Sequence, residues 1–379
     1  MNRRQFIAGS ATCTALLAAA ASGAMALARG PGRNAQSDSV ARLYRDAIVI
    51  DALGSPFSSF PANVTKLSAA DVQQVKSSGI TAINATISSP TYDETIHNIA
   101  IAQALPDKYP DTFLLVRRHS DIARAKREGK MGIILGFQYT GPFEEDLSRL
   151  ELFHGLGVRI IQMSYNLRSL LGDGCLEPAN AGLSTRGREA VARMNELGIA
   201  VDLSHCGQQT TADGIAVSKK PVLITHSGCN GVFRHPRNKD DREMRALVDR
   251  GGVMGVYFMP YLCASPKVPT ADDVLQHIAY ALKVCGEDHV GIGTDNSVEA
   301  VVLNDEQRKQ FEEMVAARKK AGISAPGEDR MPFVPELNGP DKLRKVAEGL
   351  AKRGYGSSVI AKVLGGNFHR VLADIWGTA

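Results

Sequence analysis

The 379-residue chain has little that would mark an unusual class of protein. It contains one Trp, aromatic residues make up 6% of it, and no internal repeat or low-complexity segment interrupts it. A hydrophobic share of 44% and a charged share of 22% are those of an ordinary globular protein, which excludes disorder and collagen-like structure. The formal net charge is only +4 and the basic residues are scattered, so we expect neither nucleic acid nor an anionic membrane surface as a partner.

The N-terminal residues differ from the rest of the chain. "MNRRQF" has paired arginines before Phe6, and no further charge occurs until Arg29, just after the small-residue site Ala26-Leu27-Ala28. This pattern predicts a twin-arginine signal peptide over residues 1–28, followed by a polar linker over 29–41. The alternative is a membrane anchor, because the uncharged run is long enough to span a bilayer. The signal predicts a periplasmic protein that meets the membrane only through export, and export of folded proteins favours a tightly held metal or other ligand.

Cysteine is scarce, with six in the chain. Cys13 lies in the predicted signal, so an odd number remains and at least one thiol of a monomer is unpaired. An oxidising compartment permits disulfides, and four of the remaining cysteines follow predicted strands. One or two disulfides between the strand-end loops are therefore possible. The cysteines of the mature chain are Cys175, Cys206, Cys229, Cys263 and Cys285.

Eight short apolar runs alternate with longer amphipathic stretches. Each run is rich in Ile and Val and lacks polar alternation, which is typical of parallel strands covered on both faces. Eight such strands alternating with helices predict a (β/α)8 barrel, over residues 42–379, with a C-terminal helical extension. A doubly wound open sheet is the alternative, but no Gly-rich dinucleotide turn occurs. The runs are "AIVID", "ITAINATI", "MGIILGFQ", "VRIIQMSYN", "IAVDLSH", "VLITHS", "GVMGVYF" and "VGIGTD".

A barrel of this kind carries its active site at the carboxyl ends of the strands. The polar residues at those positions are, in chain order, Asp51, Gln138, Tyr165, His205, His226 and Asp295. His205 and His226 end consecutive strands, and two neutral imidazoles from neighbouring strands are a common half of a zinc site. A lone histidine at such a position is more often a hydrogen-bonded core residue.

Two further residues are candidates on chemical grounds. Asp295 closes "GIGTD", where a carboxylate can act as a ligand, as a proton carrier or as an acceptor that orients a neighbour. Arg237, in "FRHPRNKDD", can hold a carboxylate bidentately, although a surface-loop arginine explains the local sequence nearly as well. A soft metal site that uses Cys206 beside His205 is a weaker alternative.

Several longer motifs together resemble the membrane (renal-type) dipeptidases, zinc metallopeptidases of the amidohydrolase-like barrel group. The resemblance extends from about residue 42 to 376. Its landmarks are "HSDIARAKREGKMGIILG", "GLSTRGREAVARMNELGIAVDLSH", "THS" followed by "RHPRN", "GGVMGV", "GIGTD" and "LGGNFHRV".

The resemblance implies roles for several residues. In these dipeptidases two zinc ions share a bridging glutamate, and a hydroxide between the metals attacks the dipeptide carbonyl. His205 and His226 match the two histidines of the second metal, and Arg237 matches the arginine that holds the substrate carboxylate. Asp295 matches the carboxylate implicated in proton transfer, and Tyr165 stands where the family often has a His or Tyr near the substrate carbonyl.

Three ligand positions depart from the family. Asp51 keeps the first residue of the D-G-H-N-D motif, but Leu53 replaces the zinc-binding His and Ser55 replaces the zinc-binding Asp. Gln138 stands where the bridging glutamate belongs. Leu cannot bind a metal, and Ser and Gln offer no charge to balance two divalent ions. We therefore expect zinc as one ion or none, with Gln138 near the substrate.

Two functions remain open at this point. The leading hypothesis is a divergent metallohydrolase or tailoring enzyme that acts on a dipeptide or a peptide-derived small molecule in the periplasm. The alternative is a non-catalytic periplasmic binding or accessory protein that uses the degenerate pocket. We expect a small peptide-like partner in either case, and a homodimer.

Overall fold

The computed structural model describes residues 33–61 and 67–378. The predicted signal peptide, residues 1–28, lies outside this range. The segment predicted as a linker is helical from Arg33, because α1 (Arg33–Asp46) packs Val40 and Tyr44 into the core.

The predicted barrel is confirmed. Within the described residues the strands form one parallel sheet in the order β1-β2-β4-β5-β6-β7-β8-β9, with β3 paired to the first part of β4. All eight apolar runs supply strands, and their residues are nearly all buried, as a sheet covered on both faces requires. The strands are β1 Ile50–Gly54, β2 Ala82–Thr86, β3 Phe113–Leu115, β4 Met131–Phe137, β5 Val158–Gln162, β6 Ala200–Asp202, β7 Leu223–Ser227, β8 Val253–Val256 and β9 Val290–Ile292.

Helices cover the outside of the barrel and its N-terminal end. None of those in the described part of the chain is long and apolar enough to cross a membrane. After α1 they are α2 Ala69–Ser78, α3 Tyr92–Gln103, α4 Leu105–Lys108, α5 His119–Glu128, α6 Arg149–Gly155, α7 Thr185–Leu197, α8 Gln208–Val217, α9 Asp241–Asp249, α10 Ala271–Cys285, α11 Asp305–Lys320, α12 Lys342–Lys352, α13 Ser357–Ala361 and α14 Asn367–Trp376.

The last helix, α14, closes the end of the barrel opposite to the strand carboxyl ends. Phe368, Leu372 and Ile375 pack with apolar residues from the starts of the strands in one buried cluster. Gly291 leaves room for this helix, since a Cβ there would stand 2.5 Å from the Phe368 ring. Because α14 closes this end, an active site can form only at the opposite end, where the strands have their carboxyl ends.

The first and last strands meet through a carboxylate. Asp51 is buried and accepts hydrogen bonds from the backbone N–H (2.8 Å) and hydroxyl (2.7 Å) of Thr294. Burial raises the pKa of Asp51 to about 7, and the backbone N–H of Asp295 donates to the Leu53 carbonyl at 2.8 Å. Asp51 therefore joins β1 to the segment after β9, and its carboxylate is already occupied by Thr294.

Candidate active site at the strand carboxyl ends

The two predicted histidines meet at the open end of the barrel. His205 follows β6 and His226 lies in β7, and both side chains are buried. Their Nε2 atoms lie 2.9 Å apart. Burial lowers the pKa of both imidazoles well below the usual value, and the Arg237 charge lowers them further, so both rings are neutral at pH 7.

Their hydrogen bonds fix the tautomer of each ring. His205 Nδ1 lies 2.7 Å from Asn166 Oδ1, an acceptor, so Nδ1 carries the proton. His226 Nδ1 lies 2.8 Å from the Thr225 hydroxyl, whose own proton is donated to Asp202 Oδ2 at 2.7 Å. The hydroxyl can then only accept, so His226 is also protonated on Nδ1. Both Nε2 lone pairs therefore face each other, an arrangement that a cation placed between them stabilises.

Thr225 provides a test of this network. Thr225→Val should leave two buried atoms, His226 Nδ1 and Asp202 Oδ2, without their hydrogen-bond partner, lowering the free energy of unfolding by about 1–3 kcal/mol. It should also weaken zinc binding about 10–100-fold, because the His226 tautomer is no longer fixed. Denaturant unfolding and chelator competition measure the two effects.

Ser204→Ala is the matched control. Its hydroxyl also donates to Asp202 but does not contact the His226 ring nitrogens. We expect a similar loss of stability with little change in zinc affinity. Equal zinc affinity in both variants would contradict the assigned tautomers.

The geometry accommodates one metal ion better than two. Gln138 Nε2 lies 3.3 Å from His226 Nε2, so its amide reaches the imidazole pair. Leu53 offers no donor atom, and the Ser55 hydroxyl is engaged with the Phe57 carbonyl. No group of three or more His, Cys, Asp or Glu side chains able to hold a metal occurs in the described part of the chain. The family's two-ion arrangement does not fit these residues, whereas the two imidazoles suit a single ion.

Arg237 is a buried cation beside the imidazoles and not a surface-loop residue. It is 2% exposed, and its Nη1 donates to the Ser204 carbonyl at 2.6 Å. Its guanidinium carbon lies 5.7 Å from the centre of the Tyr257 ring. No ion pair links it to an Asp or Glu among the residues described. A buried guanidinium without a carboxylate partner is suited to bind one from a ligand.

Asp295, which follows β9, has a strained backbone conformation. Its φ of +58° is left-handed, which is unusual for a residue other than glycine and is often found at functional sites. Burial raises the pKa of its carboxyl to about 6, and the Arg237 charge opposes that rise. A carboxyl of this kind can exchange a proton near neutral pH.

Tyr165 covers the His205 ring. The two rings stack with centroids 4.2 Å apart, and Tyr139 stacks on Tyr165 at 4.9 Å. Burial raises the pKa of Tyr165, so its phenol stays protonated. The stack holds the His205 ring from one face and leaves the phenol as a hydrogen-bond donor.

Several residues of this network were not predicted from the sequence, namely Asn166, Thr225 and Asp202. For Asp202 in β6 and Thr225 in β7, a polar residue inside an otherwise apolar strand was the available signal, whereas Asn166 follows β5 and had none. Cys175 was also missed as a neighbour of the site, with its thiol 3.7 Å from Asn166 Oδ1.

The cysteines do not form the disulfides that an oxidising compartment permits. All five in the described residues are free thiols, and four are buried. Burial raises the pKa of Cys206 to about 12, which leaves it protonated and a poor metal ligand. The alternative of a soft metal site at Cys206 finds no support in the geometry.

Comparisons with known proteins show which family this chain resembles. A dipeptidase of Claviceps purpurea, tcpJ, is 30% identical over 61% of this chain and 55% of its own, so the chain spans little more than half of that relative. A Clonostachys rogersoniana dipeptidase, verJ, is 28% identical over 74% of this chain and 71% of its own. An amidohydrolase structure from Pseudomonas aeruginosa is 35% identical, covers 89% of this chain and 99% of its own, and superposes with a TM-score of 0.78.

Another solved structure shows the same fold with a ligand. A Rhodobacter sphaeroides metallopeptidase, bound to a phosphinate mimic of the dipeptide L-Ala-D-Ala, is 19% identical, covers 87% of this chain and 100% of its own, and has a TM-score of 0.72. At that identity the likeness shows the fold alone. The model of the membrane dipeptidase family (peptidase family M19) matches residues 39–327. The chain therefore belongs to the membrane dipeptidase family, whose members are zinc metallopeptidases that act on dipeptides.

Proposed function

We propose that this protein is a divergent periplasmic member of the family, a hydrolase or tailoring enzyme with at most one metal ion. It acts on a small peptide-like molecule that it holds by a free carboxylate. The observation that carries this proposal is the fully buried Arg237, which forms no ion pair among the described residues, next to two imidazoles whose Nε2 lone pairs converge. A protein that only needs a stable fold gains nothing from either arrangement, because an unpaired buried charge is costly.

The substrate position follows from Arg237. A carboxylate on the guanidinium can form charge-assisted hydrogen bonds, and the carbonyls of Ser204 and His226 already orient the guanidinium. We place the next carbonyl group along the peptide near His226 and Gln138, whose side chains contact each other. Arg237 thus sets the register of the substrate against the reacting groups.

His205 and His226 would hold a single zinc ion through Nε2, with the Gln138 amide oxygen as a neutral third donor. Such an ion, when bound, polarises a carbonyl and lowers the pKa of its water. The Tyr165 phenol can donate a hydrogen bond to the substrate carbonyl, and the Asp295 carboxylate can accept a proton. For His205, His226, Tyr165 and Asp295 these are the roles that the family resemblance implies.

The pH dependence of activity tests Asp295. Its pKa is raised to about 6, so the carboxylate needed as a proton acceptor is fully present above about pH 7 and is lost as the pH falls through 6. We expect kcat/KM to fall tenfold per pH unit below about 6. Asp295→Asn should remove both the activity and this limb, whereas Asp288→Asn, at an exposed carboxylate, should change neither. An acid limb near pH 4 would contradict the role.

Two variants separate an enzyme from a binding protein. An enzyme loses its activity in both His205→Ala and Arg237→Ala. A non-catalytic accessory protein, the alternative function, tolerates His205→Ala and is impaired by Arg237→Ala alone. Zinc-loaded protein that turns over no member of a dipeptide panel would exclude ordinary dipeptide hydrolysis and leave the tailoring reaction.

A further inference from the structure

A cavity of about 260 Å³ opens next to the reacting groups. Leu53 and Ser55, which replace two family ligands, line its inner part together with Gln138 and Asp295. Arg237 and the two imidazoles are not among its lining residues, and Gln138, whose Nε2 lies 3.3 Å from His226 Nε2, connects the cavity with the imidazole pair. The positions where the family holds one of its ions therefore border open space in this chain.

The cavity continues to the protein surface. Leu53, at its inner end, is 3% exposed, Ser55 is half-buried and Ser58 is exposed. Val301 and Phe333, both half-buried, line it as well. A ligand group that enters from the reacting centre is not forced to end there, because the passage leads to solvent.

The side chains that line the cavity carry little charge. Asp295 is the one ionisable side chain among the lining residues, and the others are hydroxyl, amide or apolar groups. An ion and its anionic ligands would give this place a strong charge, whereas Leu53, Ser55 and Gln138 leave hydrogen-bonding and apolar surface. Such walls suit an uncharged acyl or peptide unit.

We infer that the substrate is a peptide whose N-terminal side is acylated or extended and continues outward through this cavity. The inference rests on the proposed function, since the C-terminal carboxylate is taken to lie on Arg237. Drug-sized ligand pockets measure about 300–1,000 Å³, so this cavity takes roughly one residue and leaves the remainder outside. Leu53, Ser55 and Gln138 would then determine both how long a substrate the site accepts and how many metal ions it holds.

Four ligands test the inference in binding experiments with the whole mature protein. They are L-Ala-D-Ala, its N-acetyl derivative, its C-terminal amide, and the derivative that carries both changes. By titration calorimetry we expect N-acetylation to retain affinity within about threefold and amidation to weaken it at least thirtyfold. A tenfold or greater loss on acetylation alone would overturn the inference while the proposed function stands. Loss of the amidation effect, or no binding by any of the four, would overturn both.

A pair of variants tests the path itself. Val301→Trp should narrow the outer part of the cavity and weaken binding of a tetrapeptide ending in L-Ala-D-Ala at least tenfold, leaving the free dipeptide unchanged. Val302→Trp is the matched control, because Val302 is 78% exposed and does not line the cavity. Equal effects of Val301→Trp on both ligands, or none on either, would contradict a path through this cavity.

Discussion

The triple variant Leu53→His/Ser55→Asp/Gln138→Glu should bind two zinc ions per chain, whereas we expect the natural protein to bind no more than one. The three changes restore the family's ligand types at positions that line one cavity. They add an imidazole and two carboxylates, which supply the negative charge that two divalent ions require. Zinc at a hundred times its dissociation constant should then raise the free energy of unfolding by about 2.7 kcal/mol per added site. Mass spectrometry under native conditions measures the ion count of both proteins. Denaturant unfolding with and without a chelator measures their stability.

The single variant Gln138→Glu is the control for this experiment. It supplies the bridging anion but leaves Leu53 and Ser55 in place, so the second ion still lacks its other ligands. We expect one ion, bound more tightly than in the natural protein. Two ions in the single variant would show that the replacements in β1 are not what limits the metal content.

Arg237→Met should strongly weaken the binding of ligands that carry a free carboxylate. The substitution keeps much of the side-chain length and removes the charge. Truncating one partner of a buried, hydrogen-bonded charge pair costs about 2–5 kcal/mol, which corresponds to a loss of roughly 30- to 5,000-fold in affinity. Calorimetry with L-Ala-D-Ala measures the loss, and the C-terminal amide should bind equally to both proteins.

Arg234→Met provides the comparison, because Arg234 lies in the same loop but is exposed. It should leave ligand affinity within about twofold of the natural protein. If Arg237→Met also binds the free acid normally, the buried guanidinium serves the fold and the substrate register proposed for it is wrong.

The barrel was predictable because its strands are covered on both faces and read as separate apolar runs. β3 (Phe113–Leu115) was missed because it lies outside the order of eight strands and pairs with β4, so a pattern of eight alternating runs does not require it. The start of α1 was missed because its polar face resembles a linker, while burial of Val40 and Tyr44 is a tertiary effect.

The site was predictable in its residue types but not in its geometry. Strand ends and the family resemblance placed His205, His226 and Arg237 together, and the structure brings them into contact. The sequence could not show that Arg237 is buried without a carboxylate, or that Thr225 must accept from His226. Both depend on which side chains surround a group in three dimensions. The same is true of the cavity beside Leu53.

Metal content measured on protein exported by its native route tests the central claim most directly. We predict at most one ion per chain, held by His205 and His226 and lost when both are replaced by Ala. Exposed histidines such as His97 should not matter, so His97→Ala serves as the control. Two ions per chain in the natural protein would contradict the account, because Leu53, Ser55 and Gln138 would then not have reduced the site.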